Sequence, residues 1–88
     1  MTYSVLLHPK AAKELESLDS QTRARIVERV RELCDKPEAG KPLTQSDFWS
    51  LRVGDYRAIY QIDRERRQVV VLFVGHRSKV YDDFAKML

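Results

Sequence analysis

Phe48-Trp49-Ser50-Leu51-Arg52-Val53-Gly54-Asp55-Tyr56-Arg57-Ala58-Ile59-Tyr60 reads as two strands joined by a tight turn. Gly54-Asp55 is a two-residue link of the Gly-X kind, which suits a type II′ hairpin. A two-residue turn fixes the register, so Val53 faces Tyr56, Arg52 faces Arg57, Leu51 faces Ala58, Ser50 faces Ile59 and Trp49 faces Tyr60. Cross-strand partners share a sheet face. Val53/Tyr56, Leu51/Ala58 and Trp49/Tyr60 therefore form an apolar and aromatic face, the expected core side. The opposite face sets two guanidiniums against each other. Like charges in that relation are destabilising; either a bound anion relieves them, or the two side chains are simply solvated or paired with Asp47, Asp55 or Asp63.

Downstream of the hairpin, Asp63 to Arg67 is a charged turn and Gln68 to Gly75 is a nearly unbroken apolar run, as in a strand covered on both faces. His76 and Arg77 follow. Ser78 is placed to cap a last helix running to Met87, with Val80, Phe84, Met87 and Leu88 inward and Asp82, Asp83 and Lys86 outward. Upstream, Thr2 to His8 alternates as a short strand. Pro9 suits the first turn of a helix to Leu18 with Ala11, Leu15 and Leu18 inward. Asp19-Ser20 breaks that helix and caps a second one, Gln21 to about Asp35, whose apolar stripe is Ile26, Val27, Val30, Leu33 and Cys34. Pro37 to Asp47 is a loop by composition. The order β-α-α-β-β-β-α predicts a single α+β domain over 1–88, with two layers. A mainly antiparallel sheet is covered on one face by a helical hairpin, and a short helix closes the chain.

At 88 residues the chain has room for one core and little more. A deep internal cavity would compete with that core, so chemistry belongs on an open face. One cysteine, Cys34, leaves no intrachain disulfide, and a cytoplasmic setting fits; a buried free thiol is its expected role. No apolar run nears the ~18 residues that cross a bilayer, and the first residues lack a secretion signal's basic region. His8 and His76 have no ligand-spaced partners, so no metal or cofactor is expected, and His8 reads as structural. Net charge is +3, with Arg supplying 10 of 16 basic residues. Residues 48–81 hold 7 basic and 3 acidic residues, against 8 and 7 in residues 1–45, so the excess lies on the sheet half.

Arg52, Arg57, Arg77, His76 and Tyr81 are the candidate reactive groups. Arginine binds phosphate through a planar fork, histidine as a residue type titrates near neutral pH, and tyrosine stacks on bases or moves protons. With no acidic pair and no Gly-rich nucleotide loop, this inventory suits metal-free cleavage of RNA with the 2′-hydroxyl as nucleophile. Arg23, Arg25, Arg29 and Arg31 read as a solvated helix face balanced by Glu28 and Glu32.

The strings Arg52-Val53-Gly54-Asp55-Tyr56-Arg57-Ala58-Ile59-Tyr60 and Val74-Gly75-His76-Arg77-Ser78-Lys79-Val80-Tyr81, at this spacing, resemble the RelE/ParE superfamily of toxins from type II toxin–antitoxin modules. The RelE branch cleaves mRNA in the ribosomal A site; the ParE branch poisons DNA gyrase through protein contact. The resemblance implies that Arg52 contacts the phosphate, Arg57 stabilises the transition state and Arg77 sits near the leaving group. It further implies that Tyr81 stacks on mRNA or acts as base, a role His76 takes in other branches. A lysine that some RelE members place two residues before Arg52 is Ser50 here, and Lys41 and Lys79 are the cations expected to contact RNA in its stead. The implied partners are the ribosome, mRNA and a cognate antitoxin, whose helix would lie on the sheet face or near the last helix. A member retaining antitoxin binding without activity is the third reading.

Overall fold

Strand β1 (Ser4–Leu7) lies at one edge of a five-stranded sheet of order β1-β5-β4-β3-β2. The other strands are β2 (Lys41–Pro42), β3 (Phe48–Val53), β4 (Tyr56–Asp63) and β5 (Gln68–His76). The computed structural model describes residues 2–44 and 46–87, and the expectations for Asp83, Met87 and Leu88 concern side chains outside what it describes. β1 runs parallel to β5, and the remaining pairings are antiparallel.

The hairpin register is the one read from the sequence, from Val53↔Tyr56 through Arg52↔Arg57 to Trp49↔Tyr60. Gly54 carries φ +62° while Asp55 keeps a negative φ, the signature of a type II′ turn. β5 departs from simple alternation. Ile62 faces Val69 and Tyr60 faces Val71, yet Ile59 faces Phe73, so Leu72 is an extra residue and the strand bulges there.

Two helices cover one sheet face. Helix α1 (Pro9–Glu16) begins at Pro9, with His8 Nδ1 accepting the Lys10 N–H at 3.2 Å as a cap. Helix α2 (Ser20–Arg31) is capped by Asp19, whose carboxylate accepts both the N–H and the hydroxyl of Thr22. Those bonds, the hydroxyl first, hold Asp19 below the usual carboxylate range. α2 stops at Arg31, short of the expected Asp35, because the chain tightens into a 3-10 turn at Glu32–Cys34. There Cys34 is half-buried instead of buried, and its thiol donates to the Tyr3 carbonyl at 2.7 Å. Ala11, Leu15, Ile26, Val30 and Leu33 pack on Leu51, Ala58, Tyr60, Val69, Val71 and Val74, forming the main core. Each fully buried aliphatic side chain contributes on the order of 1.5–3 kcal/mol. Glu14 ties α1 to the sheet just past the bulge, its Oε1 accepting the Val74 N–H at 3.0 Å.

The second face has a smaller cluster of Ile59, Phe73 and Val80, with Phe48 and Phe84 against it. Helix α3 (Val80–Met87) packs there, Phe84 meeting Phe48 edge-on at 4.9 Å between centroids. α3 covers only part of this face and leaves the arginine pair beside it. Ser78 lies outside the helix, and its hydroxyl meets His76 Nδ1 at 2.9 Å.

The segment expected as plain loop, 37–47, holds two short elements. Pro37–Ala39 makes a 3-10 turn, and Lys41–Pro42 adds β2 beside β3. Tyr60 secures both. Its hydroxyl donates to the Pro37 carbonyl at 2.6 Å and accepts the Gly40 N–H at 3.1 Å. Gly40 is held so close that a Cβ would stand 2.6 Å from the Ser50 carbonyl oxygen and 2.8 Å from the Tyr60 hydroxyl.

Candidate functional site

The alternation of β3 and β4 puts Ser50, Arg52, Arg57 and Ile59 on the face that α1 and α2 leave free. Lys41 joins them as the cross-strand partner of Ser50, carried there by the Gly40–Tyr60 contact. Tyr81, on the first turn of α3, reaches back to the sheet, its hydroxyl 3.0 Å from Ser50 Oγ. Lys41, Ser50, Arg52, Arg57 and Tyr81, with Arg29 of α2, line a cleft of about 450 Å³ that contains no carboxylate among its described lining residues.

Arg57 is the centre of this arrangement. Its Nε is buried and has no hydrogen-bond partner among the described residues. A buried guanidinium N–H left in that state costs free energy until an acceptor arrives. Arg52 stands directly opposite, its Nε donating to the Gly54 carbonyl at 3.3 Å. None of the acidic relief considered from the sequence reaches either residue. The ion pairs among the described residues are Arg29–Glu32 and Arg64–Glu38. Two facing cations and an orphaned N–H define a site for an oxyanion, and Arg supplies the fork geometry that phosphate matches.

Across β4, Arg57 faces Gly75, so no side chain crowds it from β5. The ladder continues one step past β5, the Arg77 N–H donating to the Asp55 carbonyl at 2.9 Å. Arg77 itself is exposed in the turn after β5 and lies outside the cleft lining, so it does not join Arg52 and Arg57 there. Lys79, in the turn before α3, is exposed and lies outside the cleft lining, so it does not join Lys41 there.

His76 is the main correction. It was expected beside the arginines, but it faces Tyr56 across β4 and stacks edge-on against that ring at 5.5 Å. Tyr56 belongs to the helix-covered face. The cause is the bulge at Leu72. In an unbroken register Arg57 would face Val74, and His76 would emerge on the arginine side; the extra residue turns His76 to the opposite face. Nothing around Leu72 marks the bulge, since Val69 to Val74 is apolar throughout.

Four contributors escaped the sequence reading. Arg29 looked like part of a solvated helix face, but its Nη1 approaches the Arg52 carbonyl at 3.4 Å over the open edge of β3. Gly40 and Tyr60, which build the wall carrying Lys41, looked like loop and core; only a glycine just before a two-residue strand hinted at close approach. Ser50 looked like a missing lysine and is instead the partner of Tyr81.

Comparison with known proteins agrees with this architecture. A family model described as the ParE toxin of the type II toxin–antitoxin system parDE matches residues 5–81. The toxin RelG of Mycobacterium tuberculosis is 36% identical over 85 residues, spanning 92% of this chain and 98% of its own. The mRNA interferase toxin RelE of Escherichia coli is 32% identical over 94 residues, spanning 100% of this chain and 99% of its own. Among solved structures, the toxin–antitoxin complex RelBE2 of Mycobacterium tuberculosis superposes with a TM-score of 0.82 at 36% identity, over 88% of this chain and 100% of its matching chain. A free mutant of Escherichia coli RelE gives 0.80 at 30% identity, over 100% of this chain and 99% of its own. The fold is that of a small toxin domain. The chain belongs to the RelE/ParE superfamily of toxins of type II toxin–antitoxin modules.

Proposed function

We propose that this toxin is a ribosome-dependent mRNA interferase that cleaves RNA by metal-free attack of a 2′-hydroxyl. The observation that carries the reading is Arg57, whose buried Nε lacks an acceptor opposite a second cation, in a cleft lined by Lys41, Tyr81 and no described carboxylate. Relatives named mRNA interferase support the reaction class.

In the reaction the 2′-hydroxyl gives up its proton to a base as its oxygen forms a bond to phosphorus, and the bond from phosphorus to the 5′-oxygen breaks as that oxygen takes up a proton. The products are a 2′,3′-cyclic phosphate and a 5′-hydroxyl. Arg57 and Arg52 hold the non-bridging oxygens and offset the negative charge that grows on them, an effect strongest with donors already in place. Arg77, in the turn just past β5, is the cation assigned to the leaving oxygen. Tyr81 is the cleft's proton-transfer and stacking group, while His76 supports the turn before α3. Lys41 meets a neighbouring phosphate. A shallow cleft on so small a domain suits a substrate presented by a larger machine, which supplies the positioning the protein lacks. A cognate antitoxin is the expected partner, since solved relatives were determined as RelBE complexes.

Primer extension on an mRNA in a translating extract tests the reading. Codon-phased cuts ending in 2′,3′-cyclic phosphate, dependent on ribosomes and insensitive to chelator, are expected. A DNA-damage response on induction with intact mRNA would overturn it in favour of a gyrase target.

A further inference from the structure

We infer that Ser50 is a positioning residue for Tyr81, fixing the phenol against the Arg52/Arg57 face; the inference rests on the ribonuclease reading above. Ser50 is 6% exposed, whereas Tyr81 is 38% exposed at the cleft rim. A buried hydroxyl needs a partner, and the partner of Ser50 Oγ is the Tyr81 hydroxyl at 3.0 Å. Ser50 and Arg57 lie on the same face of adjoining strands, so the contact brings the phenol oxygen down onto the surface that holds the guanidiniums.

Size matters as much as chemistry. Ser50 sits between Lys41 and Ile59, its two cross-strand partners. A long side chain at this position would fill the space where the Tyr81 ring comes down. Serine leaves that space open and supplies the one hydroxyl that holds the ring there. The cationic role is taken by Lys41 on the adjoining strand, so the cleft keeps both a phosphate-binding ammonium and an anchored phenol. An exposed tyrosine on the first turn of a short helix would otherwise sample several rotamers, and one fixed orientation removes that cost before substrate arrives.

A double-mutant cycle on cleavage of ribosome-presented mRNA tests this. Ser50→Ala should lower kcat about five- to tenfold with little change in KM, as expected for loss of one hydrogen bond made to a reacting-site group, and Tyr81→Phe, which also removes the proton-transfer hydroxyl, should lower it about a hundredfold or more. The double variant should lose no more than Tyr81→Phe alone, and Ser50→Thr should restore most of the rate. Losses that multiply would overturn the inference, as would a Ser50→Ala kcat equal to the parent's. The second measurement needs no activity. With Tyr81 carrying a ring-carbon label, Ser50→Ala should shift the Tyr81 Cζ resonance and speed ring reorientation at unchanged melting temperature. An unaltered resonance would overturn the pairing. Absence of cleavage by the parent protein, with the resonance shift present, would instead overturn the ribonuclease reading and leave the pairing standing.

Discussion

Arg52 and Arg57 are cross-strand partners on the exposed face of the β3–β4 hairpin, with no carboxylate paired to either among the described residues. Function and stability pull in opposite directions at such a pair. Arg57→Gln should abolish mRNA cleavage and toxicity while leaving the melting temperature equal to or a few degrees above the parent's, since directly opposed like charges cost up to about 1 kcal/mol. The gain should shrink as salt rises. Thermal melts at low and high salt, beside a toxicity assay, check both halves; a fully toxic variant would remove Arg57 from the site.

Gly40 is kept for space, since its φ of −80° is open to any residue. Gly40→Ala places a methyl 2.6 Å from the Ser50 carbonyl and 2.8 Å from the Tyr60 hydroxyl, both of them fixed. The wall carrying Lys41 must move outward. Overpacking of this kind costs about 1–3 kcal/mol, and RNA affinity should fall with it. Denaturant unfolding and the KM for cleavage are the measurements.

Tyr60 gives the fold an alkaline limit. Burial, with a smaller push from Glu38, raises its phenol above the ordinary 10.0, against the Gly40 N–H, which lowers it. The neutral phenol donates to Pro37, which the phenolate cannot do. Its stabilisation is therefore fully present below pH 10.0 and is lost as pH rises through the higher folded value. Tyr60→Phe should be about 1–2 kcal/mol less stable at neutral pH, through the lost bond and the unmet Gly40 N–H. It should also show a flatter stability profile above pH 10.0. Equal slopes in the two proteins would contradict this.

Glu14 carries a test of how α1 is fastened. Its Oε1 accepts the N–H of Val74, a residue only 1% exposed. Glu14→Ala leaves that N–H buried without its acceptor and should cost about 1–3 kcal/mol. Glu14→Gln keeps a carbonyl and should cost clearly less. Urea titrations of the two variants separate the hydrogen bond from simple loss of side-chain area.

Legibility in the sequence followed the range of the interactions. The hairpin was readable residue by residue, because a two-residue turn and period-two alternation are local rules that left one register. The helix start at Pro9, the cap at Asp19 and the core stripe through Ile26, Val30 and Leu33 were readable for the same reason, whereas the cap made by His8 was not read. β2 was not. Two residues carry no period, and Lys41–Pro42 is extended because Tyr60, distant in sequence, takes the backbone of Pro37 and Gly40. Of the site, the arginine pair and Tyr81 were legible. The place of His76 was not, because a bulge inside a uniformly apolar run leaves no compositional trace.

Leu72 gives β5 a parity. Before it, even-numbered residues share the face of Gln61; after it, odd-numbered residues share the face of Arg57. The strand is thus divided into two reading frames, with odd-numbered residues facing the helix-covered core before Leu72 and even-numbered ones after it. A single insertion or deletion between Leu72 and His76 would turn the imidazole to the face of Arg57 without altering the identity of any reactive residue. In a family built on this sheet, chemistry can change by counting as well as by substitution.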